Sequence, residues 1–385
     1  MALIFWASVA FIFYVYVGYP LLLWVFQALL GSAPAKQAVE PAVSVLVAAY
    51  NEGAVIADKI RNTLSLHYPP DKLELVIASD GSTDATAEIT RTLAEKEGTG
   101  RVRLIHFEQN RGKMAVLNDA ITQLRGEIVA FSDASSMLAP DSIRTLVQNF
   151  GDPSVGAAGG LYRVLKEDQS HIGSSEGFYW KYETFLKLQE AKLGACTGLH
   201  GSLYAIRRTL YPFPPARTIN DDFTIPVRIV GRGYRVAYET GAVAYEEALE
   251  MEGFYRRVRI TAGNVEQLRE LKQLLWPPRP FPLLCLLSHK TARLPVPLFM
   301  LTALAANVAL RGFPYNVMLI GQALFYGVAL LGTMVRLRPK ILQLPYYFCM
   351  INFALVAWLF YTLRRGASNS IHWGTPRPLP RQTLD

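Results

Sequence analysis

VSVLVAAYNEG (residues 43–53) and, twenty residues on, LELVIASDGSTD (73–84) decide how this chain folds. Each is a short β-branched apolar run that ends abruptly in carboxylates, amides and turn formers. RVRLIHF (101–107) and EIVAFSD (127–133) repeat the pattern. Between the four runs lie 54–66, 84–97 and 113–124, where apolar residues recur at three and four, the helical period. Strands alternating with helices predict βαβ units and a parallel sheet. Ser82 or Thr83 is expected to cap the second helix. In such a sheet a ligand lies outside the carboxyl ends of the strands. The informative segments are therefore AYNEG (49–53), DGSTD (80–84), QNRGK (109–113) and DASS (133–136). None reads GxGxxG or GxxxxGK[ST], so the dinucleotide dehydrogenase and P-loop fingerprints are missing. A nucleotide is expected to be held another way.

Outward from this domain the chain turns apolar. Of its 385 residues 51% are hydrophobic, gathered at the two ends. Residues 3–30 carry no charge, and at about 1.5 Å per helical residue they exceed the roughly 30 Å hydrocarbon thickness. GSAPA follows, as a cleavage site would, yet the run is about twice a normal signal-peptide core and no basic segment precedes it. An anchor is expected. Residues 295–310, 314–335 and 342–363 are three further apolar blocks, and 281–294 mixes LLCLL with His289, Lys290 and Arg293, as an interfacial helix or a buried linker would. The expected organisation is an anchor over 1–32, a catalytic domain over 41–275, an interfacial helix over 280–294, about three membrane helices over 295–363, and a basic tail over 364–385. The domain is expected on the cytoplasmic side of a multi-pass cell-membrane protein. Three C-terminal crossings would then place the basic tail outside, against the positive-inside tendency, unless the block interrupted by Pro345 and Asn352 is re-entrant.

The net charge of +8 has no accompanying Lys/Arg run interleaved with aromatics, so nucleic acid is not the expected partner. Anionic lipid and a diphosphate substrate account for the charge. Cys196, Cys285 and Cys349 are isolated, with no CxxC, which argues against a zinc motif and a disulfide framework and suits a reducing setting.

The post-strand segments, in this order and spacing, resemble the family 2 glycosyltransferases, the inverting group that includes cellulose, chitin and hyaluronan synthases. PAVSVLVAAYNEGAVI followed by VIASDGSTDATAEI carries the resemblance, which runs over about 41–263. It implies an α/β GT-A domain, Rossmann-like, flanked by transmembrane helices at both ends. The implied activity is transfer of a sugar from a nucleotide-sugar, UDP-linked, to a lipid-linked or glycan acceptor. A processive exopolysaccharide synthase is the alternative within the family. On the matching residues, Tyr50 resembles the aromatic over the base and Glu52 the carboxylate near the ribose, though a glutamate also suits a helix start. Asp80 resembles the acceptor for the uracil edge or ribose, or a plain turn former. Lys113 resembles the basic residue near the donor phosphates, or a surface lysine. Asp133 matches the first aspartate of the DxD motif, implying Mg²⁺ or Mn²⁺ at the diphosphate. Ser135 stands where the second aspartate belongs, leaving Asp133 as the implied ligand.

Further on, CTGLHGSLYAIRR (196–208) and TINDDFTIPVRIVGRGYRVAY (218–238) resemble the acceptor half of the family's site. Asp222 falls on the Asp of the TED motif and Asp221 on its Glu, so Asp222 is the implied general base. Helix capping by NDD is the competing reading. His200 suits acceptor contact or a structural role equally. FYRRVRITAG (254–263) lies where processive synthases carry QxxRW: Arg256 replaces the Gln, Arg259 matches the Arg, and Ile260 replaces the Trp. Arg256 and Arg259 are thereby implied at the donor, Arg259 facing the leaving diphosphate. Without that Trp, a short or single-sugar product is expected. A membrane transport or assembly component with a regulatory nucleotide fold is the reading from another class. The apolar blocks carry no carboxylate of the kind that marks an ion path.

Overall fold

A strand buried along its whole length needs cover on both faces, and alternating helices supply it here. The computed structural model describes residues 1–98, 100–165, 171–247, 270, 272–335 and 340–365. After a long N-terminal helix α1 (Ala2–Leu30) come β1 (Val43–Ala49), α2 (Ile56–Leu64), β2 (Leu73–Asp80), α3 (Thr86–Lys96), β3 (Val102–Phe107), α4 (Lys113–Ile121) and β4 (Ile128–Phe131). β1 is buried at every position. Its period-two alternation sends Val43, Val45, Val47 and Ala49 toward Ile56 and Ile60 of α2. Leu46 and Ala48 go toward Met114 and Leu117 of α4 on the other face. The four expected strands and three expected helices are in place, β1 and β2 running one residue further and the other elements ending one to three residues short.

The second half continues with β5 (Met137–Leu138), α5 (Ser142–Val147), β6 (Val155–Leu165), α6 (His171–Lys192), β7 (Tyr204–Arg207), α7 (Asp221–Gly231) and β8 (Arg235–Glu247). All strands form one sheet in the order β3-β2-β1-β4-β7-β6-β8-β5. β3, β2, β1 and β4 run parallel, and β7 joins β4 antiparallel. β6 and β8 pair parallel to each other through a ten-residue register with two irregularities. The chain leaves β1 toward β2 and β3, then returns to β4 on the other side of β1. That reversal opens a crevice beyond the carboxyl ends of β1 and β4.

One expected cap is replaced. Ser82 and Thr83 do not cap α3: its N-cap residue is Ala85, which makes no side-chain cap bond, and the N–H of Thr86 is taken up by Asp84 Oδ1 at 3.0 Å. Ser82 instead receives the N–H of Asn51 at 3.2 Å, and Thr83 donates its N–H to Asn51 Oδ1 at 2.8 Å. Both residues are taken up in joining the first two loops.

The C-terminal helices are α8 (Pro280–Arg293), α9 (Val296–Ala309), α10 (Tyr315–Met334) and α11 (Lys340–Arg365). α1 and α10 are each long and apolar enough to cross a membrane, and α8 with α9, bent by 55°, passes as a pair. α9 alone, at 14 residues, spans about 21 Å, short of the hydrocarbon thickness. α1 packs on α9 through Phe5 against Ala303 and Ala306 and a 4.2 Å stack of Phe11 on Phe299. Outward, Leu3, Leu21, Trp24, Leu298, Leu301, Ile320 and Leu324 are exposed. Such a surface suits lipid rather than water.

The turn after β2 is made at Gly81, with φ +65°. A Cβ there would lie 2.5 Å from the backbone N of Asn110. Gly81→Ala should therefore cost about 2 kcal/mol or more, read as a drop of several degrees in the thermal midpoint of the detergent-purified protein. An unchanged midpoint would show that the turn can relax.

Candidate functional site

The loops beyond β1, β2 and β3 are fastened to one another by backbone donors. Glu52 N–H donates to Thr86 Oγ1 at 2.9 Å and Gly53 N–H to Asp84 Oδ2 at 2.9 Å. Asp84's carboxyl is held below its usual range by the Thr86 and Gly53 hydrogen bonds, which outweigh its partial burial. Tyr50 and Glu52 thus project from a fixed turn, with Asn51 at φ +55°. Asp80 is fully buried. Its two oxygens accept the N–H groups of Arg111 and Gly112 at 2.8 and 2.9 Å. This carboxylate fixes the QNRGK loop, and hence the start of α4 at Lys113.

Lys113 is the meeting point. Its Nζ lies 3.0 Å from Asp133 Oδ1, after β4, and 3.0 Å from Asp221 Oδ1, at the start of α7. Burial alone favours the neutral amine, but the two carboxylates outweigh it and hold the ammonium above the usual lysine range. Asp221 also accepts the Tyr204 hydroxyl at 2.8 Å. Asp222 Oδ2 accepts Gly201 N–H at 3.2 Å, and its carbonyl accepts Leu199 N–H at 2.9 Å. Neither aspartate is engaged in capping: Asn220 is the N-cap residue of α7 and makes no side-chain cap bond. Burial, then the neighbouring Asp221 charge, push the Asp222 carboxyl up to about 6, with Lys113 and Lys187 pulling the other way. A carboxylate of that kind suits proton acceptance near neutral pH.

Ser135 Oγ donates to Glu246 Oε1 at 2.9 Å. The turn that lacks a second aspartate therefore has a carboxylate brought to it from the end of β8. Sequence reading missed Glu246, and it missed Lys59, Tyr204 and Lys187. Lys59 is fully buried and donates to Ser132 Oγ at 2.7 Å and to the Ser136 carbonyl, holding the Asp133 turn from behind. Burial lowers its ammonium pKa to about 7, against the pull of Asp133. The signal was available: Ile56, Lys59, Ile60 and Thr63 share the buried face of α2. Lys187 of α6 donates to the Leu199 carbonyl at 3.1 Å and lies 3.1 Å from His200 Nε2. His200 is buried and meets Tyr238 Oη at 3.1 Å. Lys113, Asp133, Asp221 and Asp222 thus converge at the crevice, with Tyr50, Glu52 and Asp80 on the adjoining loops. Arg256 and Arg259 lie outside the described residues.

The family description "Glycosyl transferase family 2" matches residues 44–211, and "Glycosyl transferase family group 2" matches 128–361. A poly-beta-1,6-N-acetyl-D-glucosamine synthase of Staphylococcus aureus is 28% identical over 233 residues, 59% of this chain and 55% of that protein. A probable glycosyltransferase of Bacillus subtilis is 24% identical over 243 residues, 58% of this chain and 55% of its own. The chain spans about half the length of these curated relatives. A mannosyltransferase from Pyrobaculum calidifontis, solved with GDP-Man and Mn²⁺, superposes with a TM-score of 0.73 at 26% identity, covering 94% of this chain and 99% of that one. The α/β sheet described above is thus of the GT-A type.

Asp222 makes a stability prediction. Its folded pKa is raised, so the folded state loses stability as pH rises from about 4 through about 6 and the carboxylate charges. Asp222→Asn should therefore unfold at a higher temperature than the parent at pH 7.5, by the equivalent of about 1–2 kcal/mol after allowing for its partial exposure. The difference should vanish near pH 4. Equal midpoints at both pH values would mean the carboxylate is not strained.

Proposed function

The chain belongs to the family 2 glycosyltransferases, and from that premise we propose that it is a membrane-bound inverting enzyme. It takes a sugar from a nucleoside-diphosphate donor, UDP-linked, and passes it to a lipid-linked or glycan acceptor at the cytoplasmic membrane face. Family membership removes the reading as a transport or assembly component. The observation that carries the reaction is Asp222, held by Gly201 N–H beside the Lys113–Asp133–Asp221 cluster.

The acceptor hydroxyl attacks the anomeric carbon from the face opposite the diphosphate. The new C–O bond forms as the bond to the donor phosphate breaks, and Asp222 receives the hydroxyl proton. The electron pair of the broken bond leaves with the nucleoside diphosphate. Lys113 offers fixed positive charge near that group, and Tyr204 and Lys113 hold Asp221 in place beside the base. Tyr50 and Glu52 hold the nucleoside, with Asp80 fixing the loop below. On the family resemblance alone, Arg256 and Arg259 are proposed to serve the donor diphosphate.

A divalent cation, Mg²⁺ or Mn²⁺, fits the residues present. Asp133 is a partly exposed carboxylate at a strand end, and Glu246 stands behind Ser135. A hard cation binds with one or two carboxylates plus substrate phosphate oxygens. Asp133 would hold it, and when bound it would neutralise the diphosphate. The Mn²⁺ in the archaeal relative supports this.

Product length has two supports that oppose each other. Ile260 in place of Trp favours one or a few transfers to the acceptor, whereas the staphylococcal relative, a synthase of a poly-N-acetylglucosamine, favours polymerisation. Sizing early products made with excess labelled donor separates them: long chains beside untouched acceptor would establish the polymerising reading.

Asp222→Asn should leave donor affinity nearly intact and cut turnover about 10²–10⁴-fold. If Asp221→Asn abolishes turnover and Asp222→Asn does not, the base is Asp221. Asp133→Ala should abolish Mn²⁺ binding in the presence of UDP, followed by loss of the Mn²⁺ electron paramagnetic resonance change, and Ser135→Ala should do much less. Full activity of the parent in EDTA would end the metal assignment.

A further inference from the structure

Residues 41–275 contain a single tryptophan, Trp180. It lies on α6, and Trp180, Glu183, Lys187 and Glu190 recur at three, seven and ten along that helix, on one face. The lower part of the face is fixed. Glu183 and Glu190 grip His289 of α8 at 3.1 and 2.6 Å, and Lys187 holds the Leu199 carbonyl and the His200 ring. Trp180, two turns above Lys187, meets the same histidine, ring centroids 5.2 Å apart and edge to face. Tyr162 of β6 completes the aromatic group, 4.9 Å from Trp180 and 5.9 Å from His200. His200 is itself flanked by the two residues that bind Asp222: Leu199 through the backbone and Gly201 through the carboxylate. The indole therefore stands one residue away from the base, and it remains partly exposed.

We propose that Trp180 is a positioning residue for the acceptor: its ring carries the acceptor's terminal pyranose and sets the attacking hydroxyl before Asp222. The inference rests on the glycosyltransferase reading above and names a subsite of it. A pyranose has one face of axial C–H groups, which packs on a broad apolar ring and leaves the hydroxyls at the rim for polar contacts. Within the described residues this ring comes from α6, edge to face with His200. His200, bonded to Tyr238 and braced by Lys187, keeps the edge of the platform from turning.

The full-length protein in detergent or nanodiscs tests this with Trp180→Phe, Trp180→Leu and Trp180→Ala. Two rates are compared for each: hydrolysis of a UDP- or GDP-sugar donor by water, and transfer to a β-1,6-linked N-acetylglucosamine tetrasaccharide or to mannotetraose. Leu and Ala should raise the KM for the saccharide at least about tenfold while donor hydrolysis stays within about twofold of the parent. Phe, which keeps a ring, should recover most of the transfer. In parallel, either tetrasaccharide should change the intrinsic tryptophan fluorescence of the parent, and the change should be absent from Trp180→Phe. Leu behaving like the parent, or hydrolysis and transfer falling together in all three variants, would overturn the proposal, as would equal fluorescence changes with and without Trp180. A parent protein that neither hydrolyses these donors nor transfers from them would count against the donor reading instead. The fluorescence measurement would still decide whether Trp180 meets a sugar.

Discussion

One ammonium group joins the two halves of the catalytic domain. Lys113 comes from the parallel half of the sheet, as does Asp133, while Asp221 opens α7 in the half that follows the change to antiparallel pairing. Two carboxylates brought this close repel each other and are stable as charges only with a cation between them. Every other group in the crevice is placed relative to this triad. Asp80 sets where α4 begins, Lys59 supports the turn that carries Asp133, and Tyr204 fixes the orientation of Asp221. Asp222, next in sequence, is turned to Gly201 and the acceptor loop.

The second constraint is the join between this domain and the apolar helices. Glu183 accepts from Arg293 and, with Glu190, holds His289 between two carboxylates, while Tyr19 of α1 donates to Glu190 at 2.8 Å. The Arg293, His289 and Lys290 charges outweigh burial and keep Glu183 well below its usual range. Buried charges are tolerated when each has a partner, and removing one partner strands the others. This network therefore gives α1, α6 and α8 one relative position. α8 is fastened to the same helix that carries Lys187 and Trp180, so the lipid-facing elements and the acceptor side of the crevice share a frame.

These two constraints also account for the strain in the site. The raised carboxyl of Asp222 reflects burial beside a like charge, and Lys59 and Lys187 are both lowered by burial. A fold that keeps such groups gives up stability for chemistry, as active sites commonly do.

The sequence by itself determined the parallel half, because β1, β2 and β4 are apolar runs buried almost throughout and, like the partly exposed edge strand β3, end in polar loops, a pattern local enough to read directly. It also determined Asp133, Lys113 and the Asp221–Asp222 pair as residues of interest, through the order and spacing of motifs. What it could not supply were contacts between residues far apart in the chain. Ser135 and Glu246 are separated by 111 positions, and Lys59 and Ser132 by 73. That Asp84, and not Ser82 or Thr83, takes up the Thr86 N–H at the start of the helix was hidden for the same reason, since Ser82 and Thr83 are occupied by a loop about thirty residues away. Tertiary structure alone decided that a lysine on an apolar helix face has partners, and that a turn with one aspartate is given a second carboxylate from β8. Hydrogen bonds and ion pairs depend on distances of about 3 Å, and only the folded sheet brings those distant groups within that range.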